Sequence, residues 1–202
     1  MVHEKEKPIV LITGSSGNIG TALTTSLKKD YRIIGFDREK ESADIVMDLT
    51  SESSINQAFQ TFKKRYGKKI AAVIHLAAYF DFTGEDTPLY EEVNVKGTKK
   101  LLQKLQDFEV ERFIYASTML VHEPGKPGEK INEDTPLGPK WVYPESKAEA
   151  EQVIEEHHGH IPYLILRLAG LYDDSSCVPT LAHQIKRIYD AFLQKLSICR
   201  KH

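Results

Sequence analysis

The stretch "PIVLITGSSGNIG", residues 8–20, constrains this chain more than any other. A continuous apolar run ends in Gly14, Gly17 and Gly20, and an amphipathic segment follows over 18–29. An apolar run without polar alternation suits a strand buried on both faces, the habit of parallel sheets. Glycines just after such a strand permit a tight turn, close approach of backbone to a pyrophosphate, and close packing of helix on strand. The helix start beyond them, at Ser16, Gly17, Asn18, Ile19 and Gly20, would offer unpaired N–H groups and a positive dipole end to phosphate. The G-x-x-G-x-x-G spacing is also compatible with an ordinary turn, and it is the order strand, turn, helix, strand that gives it weight.

The alternation continues along the chain. "YRIIGF" (31–36), "ADIVMDL" (43–49), "KIAAVIHLAA" (69–78), "RFIYAST" (112–118) and "IPYLILRLAG" (161–170) read as strands. Helices are expected near 53–66, 88–107, 143–158 and 180–196, with Ser53 or Ser54 as the cap of the first of these. This order predicts a Rossmann-like, doubly wound parallel α/β sheet with right-handed crossovers. A Pro- and Gly-rich stretch, "VHEPGKPGEKINEDTPLGPK" (121–140), follows a strand directly. It is either a ligand-facing loop at the C-terminal end of the sheet or a disordered excursion.

A net charge of −2 and a pI near 6.5 offer no basic field for nucleic acid or an anionic membrane. No apolar run approaches the length of a membrane span, and Cys177 and Cys199 are too few for a disulfide framework, so a reducing cytoplasm is the expected setting. Three histidines in "EEHHGH" (155–160) read as a solvated helix end rather than a metal site.

Two side-chain patterns invite chemistry. Asp37 ends the second strand, where a carboxylate can accept hydrogen bonds from an adenosine ribose and favour NAD; Arg38 beside it leaves NADP open. Tyr143 and Lys147 in "WVYPESK" stand four apart at a helix start, on one face, with Pro144 tolerated in the first turn. Alone, the pair is equally a surface coincidence. The aromatic residues Tyr79, Phe80 and Phe82 fit either a substrate loop or ordinary packing.

Taken in order, these patterns resemble the extended short-chain dehydrogenase/reductase family, the NAD-dependent epimerases and dehydratases. The resemblance rests on "TGSSGNIG", Asp48-Leu49 after the third strand, "HLAA" (75–78), "NVKGT" (94–98), "STMLV" (117–121), Tyr143-x-x-x-Lys147 and "RLAGLY" (167–172). It implies NAD contacts from the Gly-rich turn, Asp37, Asp48, Leu49, Leu76, Ala77 and Ala78. It further implies catalysis by Tyr143, Lys147 and Thr118, with Ser117 the neighbouring alternative, and a supporting role for Asn94 in positioning the lysine. The implied chemistry is removal of a substrate hydroxyl proton by Tyr143 while hydride passes to nicotinamide, on a substrate such as a nucleotide sugar. The neighbouring ammonium is expected to favour the phenolate. Two positions depart from the family's pattern: Val-Tyr-Gly is Val121-His122-Glu123 here, and Arg-Pro is Arg167-Leu168.

Family members continue with a substrate domain, so the resemblance implies a dinucleotide-binding domain over 1–174 and, over 175–202, a helical tail where the substrate domain would begin. Apolar surface left by the missing part would fall to that tail or to a second subunit, which keeps a homo-oligomer open. A truncated dinucleotide binder without turnover is the alternative to an active enzyme.

Overall fold

The computed structural model describes residues 7–39, 41, 43–81, 85–126, 128–171 and 185–189. The chain divides into two units, Met1–Ala169 and Gly170–His202. In the second, residues 185–189 are helical; the rest of the helix expected over 180–196 lies outside the described residues, as do Cys177 and Cys199.

In the first unit β1 (Ile9–Thr13) leads through the Gly-rich turn into α1 (Asn18–Leu27) and returns as β2 (Arg32–Asp37). A short β3 (Ile45–Val46) precedes α2 (Glu52–Tyr66). The single strand expected over 69–78 is two: β4 (Lys69–Ile70) and β5 (Ala72–His75). β4 pairs with β6 (Glu109–Val110) in a separate two-stranded sheet, and residues 76–78 leave the sheet altogether. Between β5 and β6 the expected helix over 88–107 is a π-helical segment, Tyr90–Gly97, running into α3 (Thr98–Leu105). β7 (Phe113–Thr118), a 3-10 turn (Met119–Val121), α4 (Val142–His157) and β8 (Tyr163–Leu168) complete it.

The main sheet is parallel throughout, in the order β3-β2-β1-β5-β7-β8. The order reverses between β1 and β5, where Thr13 is in register with His75. Right-handed crossovers put α1 on one face and α2, α3 and α4 on the other, and α2, α3 and α4 pack side by side. Alternate strand residues Leu11, Ile34, Phe36, Val73, Phe113 and Tyr115 enter the core beneath those three helices. There Phe36, Phe59, Phe62 and Phe108 form an edge-to-face cluster with ring centroids 5.1 to 6.5 Å apart.

Local chemistry explains the element ends. Ser51, not Ser53 or Ser54, caps α2: its hydroxyl accepts from the Ser54 amide at 3.2 Å. Basic residues Lys63, Lys64 and Arg65 fill the last turn of α2 before Gly67, whose φ of 85° ends the helix. The 121–140 stretch is tied down. Glu123 N–H donates to Pro136 O at 3.0 Å and Gly138 N–H to Val121 O at 2.9 Å, flanking an antiparallel bridge between His122 and Leu137. No helix among the described residues is long and apolar enough to cross a membrane.

Candidate active site

The Gly-rich turn is shaped by contacts that only glycine allows. Gly14 has a φ of 71°, and a Cβ there would lie 2.7 Å from Ala77 N. A Cβ on Gly20 would lie 2.3 Å from Gly14 O. Gly17 is different, because its φ of −69° suits any residue and a Cβ would meet only Gly14 O, at 3.4 Å. Nothing inside the protein requires glycine at 17. The space it leaves lies at the α1 N-terminus, where the amides of Asn18, Ile19 and Gly20 lack intrahelical acceptors and no side chain caps them. Asp37 steadies the turn by accepting from Ser16 N–H at 3.0 Å. Burial opposes ionisation of Asp37, but hydrogen bonds from Ser16 and from the amides of Arg38 and Glu39 outweigh it and hold the carboxyl below its ordinary range. Asp48 turns one oxygen, Oδ1, to Thr50, and Leu49 is buried in the core with its Cβ against Gly97. Leu76 and Ala77 are half-buried and Ala78 is exposed, on the loop leaving β5.

Beneath the reversal of strand order lies a buried polar relay. Ala77 N–H donates to Thr13 Oγ1 at 3.3 Å, Thr13 Oγ1 lies 2.6 Å from His75 Nδ1, and His75 Nε2 lies 3.0 Å from Thr98 Oγ1. Thr98 has one hydroxyl proton and gives it to Asn94 O at 2.6 Å, so it accepts from His75. The imidazole is therefore the neutral Nε2–H tautomer, accepting at Nδ1 from Thr13. Burial, with the Lys147 charge second, depresses its pKa to about 3.

Asn94, 1% exposed within the π-helical segment, extends the relay. Its Oδ1 accepts from Tyr79 N–H at 2.7 Å, and its Nδ2 donates to Tyr79 O at 3.1 Å and Ser146 Oγ at 2.9 Å. Ser146 in turn donates to Tyr143 O at 2.7 Å. Asn94 thus reaches the first turn of α4 through Ser146 and the backbone carbonyl of Tyr143. That turn holds Trp141 as the N-cap and Pro144 three residues in, where a missing N–H costs nothing.

Tyr143 packs edge-on against Phe80, ring centroids 4.7 Å apart, and near Tyr90 at 6.4 Å. Burial, with Tyr90 second, raises its pKa, so the protein's own groups favour the protonated phenol. One turn on, Lys147 is 2% exposed. Its ammonium stands 4.1 Å from the centroid of the Tyr115 ring and makes no hydrogen bond to any described residue. Burial depresses its pKa to about 7, against a raising influence from Glu151. Thr118 and Ser117 are both buried but differ in use. Ser117 donates to Glu151 Oε1. Thr118 Oγ1 accepts from Leu120 N–H at 3.3 Å, leaving its own proton uncommitted. Neither hydroxyl contacts Tyr143 among the described interactions. Among the described residues no group of histidine, cysteine and carboxylate side chains could hold a metal ion.

The profile of the NAD dependent epimerase/dehydratase family matches residues 10–199. The chain belongs to this family. A UDP-glucuronate 4-epimerase of Thermodesulfobacterium geofontis is 28% identical over 172 residues, covering 73% of this chain and 50% of the relative. A decarboxylating sterol-4-alpha-carboxylate 3-dehydrogenase of Schizosaccharomyces pombe is 33% identical over 144 residues, covering 69% and 40%. The Thermus thermophilus UDP-glucose 4-epimerase, solved with NAD, superposes with a TM-score of 0.64 at 27% identity, covering 79% of this chain and 54% of that one. The chain spans about half the length of the curated relatives it matches.

One departure from the family's pattern, His122, meets Arg167, a residue that the pattern shares. Arg167 Nη1 lies 3.3 Å from His122 Nε2, while its Nε and Nη2 hold Glu151 at 3.2 and 2.7 Å. His122 Nδ1 lies 2.8 Å from Thr135 O. A carbonyl only accepts and a guanidinium only donates, so His122 is neutral with its proton on Nδ1. Sequence reading named His122 as a departure but missed its link to Arg167 and Glu151, since nothing in the spacing shows that β8, α4 and the 3-10 turn converge. The expected NAD residues fit the cofactor on three counts: open space over Gly17, uncapped amides at α1, and a buried ammonium lacking a hydrogen-bond acceptor.

Proposed function

We propose that this chain is the dinucleotide-binding and proton-transfer part of an NAD-dependent epimerase/dehydratase-type oxidoreductase acting on a hydroxyl or carbonyl substrate, with a nucleotide sugar as the substrate class. The observation that carries this reading is the pairing on α4. Lys147 is a buried cation with no hydrogen-bond acceptor, one turn beyond a half-buried Tyr143 whose backbone is held through Ser146 by Asn94. A desolvated ammonium is costly unless something binds it.

In this reading the Gly14–Gly20 turn and the first amides of α1 take the pyrophosphate. Asp37 accepts from the adenosine ribose, which favours NAD over NADP; Asp48 and Leu49 border the adenine, and Leu76, Ala77 and Ala78 contact the cofactor. Bound NAD supplies the hydride acceptor and a positive charge beside the substrate. Lys147 donates to the nicotinamide ribose. Tyr143 Oη removes the substrate hydroxyl proton, and the Thr118 hydroxyl donates to the same substrate oxygen. Tyr143 needs cationic neighbours to ionise near neutral pH, because burial alone pushes it the other way. Residues 1–174 would form the dinucleotide-binding domain and 175–202 a helical tail.

Calorimetry with NAD and NADP tests the cofactor assignment; binding of neither overturns it. Reduction of NAD is then followed with UDP- and dTDP-sugars, and with sterol alcohols as the competing class. Tyr143→Phe is expected to keep NAD binding and lose turnover. A second reading is a binding module without turnover; the chain spans about half the length of the relatives it matches. It predicts NAD binding with no hydride transfer to any of these substrates.

A further inference from the structure

Lys147 raises a question that the proposed chemistry does not answer: what keeps a buried ammonium charged. Its neighbours are otherwise engaged. Glu151, one turn on, favours the lysine's charge, but both its oxygens are held by Arg167 and it also accepts from Ser117. Both nitrogens of His75 are used by Thr13 and Thr98, and the Asn94 amide is used by Tyr79 and Ser146. What faces the ammonium is the ring of Tyr115, at 4.1 Å from its centroid. Tyr115 is 1% exposed on β7, and its hydroxyl has no hydrogen-bond partner among the described residues. A buried phenol with an idle hydroxyl contributes its face, not its oxygen, and an aromatic face attracts a cation most strongly when both are desolvated.

We infer that Tyr115 is a positioning residue of the site: its ring face seats the Lys147 ammonium and keeps it cationic for the ribose contact and for ionisation of Tyr143. The inference rests on the proposed function for the purpose of that lysine, while the seating itself can be measured without substrate or cofactor. Desolvation draws Lys147 down to about 7, where half the population would be neutral. The attraction of the ring face works against that shift and favours the charged lysine.

The test keeps the shape and changes the electrons. Tyr115→Phe, and the same position filled by phenylalanines of increasing ring fluorination, leave the packing nearly unchanged while draining the negative face. The Lys147 Cε resonance in 13C-lysine protein, assigned by Lys147→Met, reports the titration. Expected is an unchanged midpoint in Tyr115→Phe and a graded fall of about one pH unit on full fluorination. A midpoint indifferent to fluorination overturns the inference. Calorimetry with NAD on the same proteins should show affinity falling at alkaline pH earlier in the fluorinated chain. Absence of NAD binding in all of them would refute the proposed function, with the titration still deciding the role of the ring.

Discussion

Replacing Lys147 by methionine should make the cofactor-free protein more stable. Unfolded, Lys147 holds its proton to about its ordinary 10.5, whereas burial draws the folded group down toward about 7, against the attraction of the Tyr115 ring. Between those pH values the unfolded chain binds more protons, so stability rises with pH across this window. Below the window the full penalty is present, about 5 kcal/mol at roughly 1.4 kcal/mol per pKa unit. Attraction to the Tyr115 ring returns up to about 2 kcal/mol, leaving about 3 kcal/mol. Methionine fills similar space, carries no charge, and can set its sulfur against the same ring. Urea unfolding at about pH 6.5 should therefore favour Lys147→Met by about 3 kcal/mol, and the gap should shrink toward about pH 9.5. In thermal unfolding the gain is roughly 6–12 °C for a chain of this size. A less stable variant, or a gap that ignores pH, would refute the claim that this ammonium is held against its own solvation.

Gly20→Ala should destabilise by about 3 kcal/mol, since its Cβ would sit 2.3 Å from Gly14 O. Gly17→Ala should leave urea unfolding within about 0.5 kcal/mol of the parent, yet weaken NAD binding by about tenfold or more in calorimetry, a loss of roughly 1.4 kcal/mol. Arg167→Met strands Glu151, which is 3% exposed, and should cost about 3–5 kcal/mol. Adding Glu151→Gln to it should recover part of that loss, a coupling measured by a double-mutant cycle.

The parallel sheet and the Gly-rich turn were legible because their signals are local. Ile9–Thr13 has no polar alternation, and Gly14 and Gly20 stand where backbone must approach backbone. Element ends were less legible. Within 69–78 the run is unbroken apolar over 70–74, so nothing in it marks the break at Ala71 that sends β4 to pair with β6. The π-helical segment was invisible, as the Asn94 and Thr98 pairing looks like any i, i+4 step until the Thr98 hydroxyl is seen on the Asn94 carbonyl. Of the candidate site, Tyr143 and Lys147 were readable as a spacing, and Asn94 only through the family resemblance. Their linkage through Ser146, and the roles of Tyr115, His75 and Glu151, were not, since each depends on which strand lies beneath α4.

Two polar systems meet on that helix. Asn94 fixes Ser146 and the carbonyl of Tyr143, while Arg167, itself held against His122, fixes Glu151. Lys147 lies between these two points, and the apolar face of α4, with Ala150 and Ile154, supplies burial but no register. Apolar contacts tolerate small slides and rotations that a proton-transfer pair cannot, because reacting atoms must be held to a fraction of an ångström. Directional hydrogen bonds on both sides of the lysine remove that freedom. The replacement of the family's tyrosine by His122 extends the second clamp to the 121–140 stretch, since one neutral ring accepts from Arg167 and donates to Thr135 O.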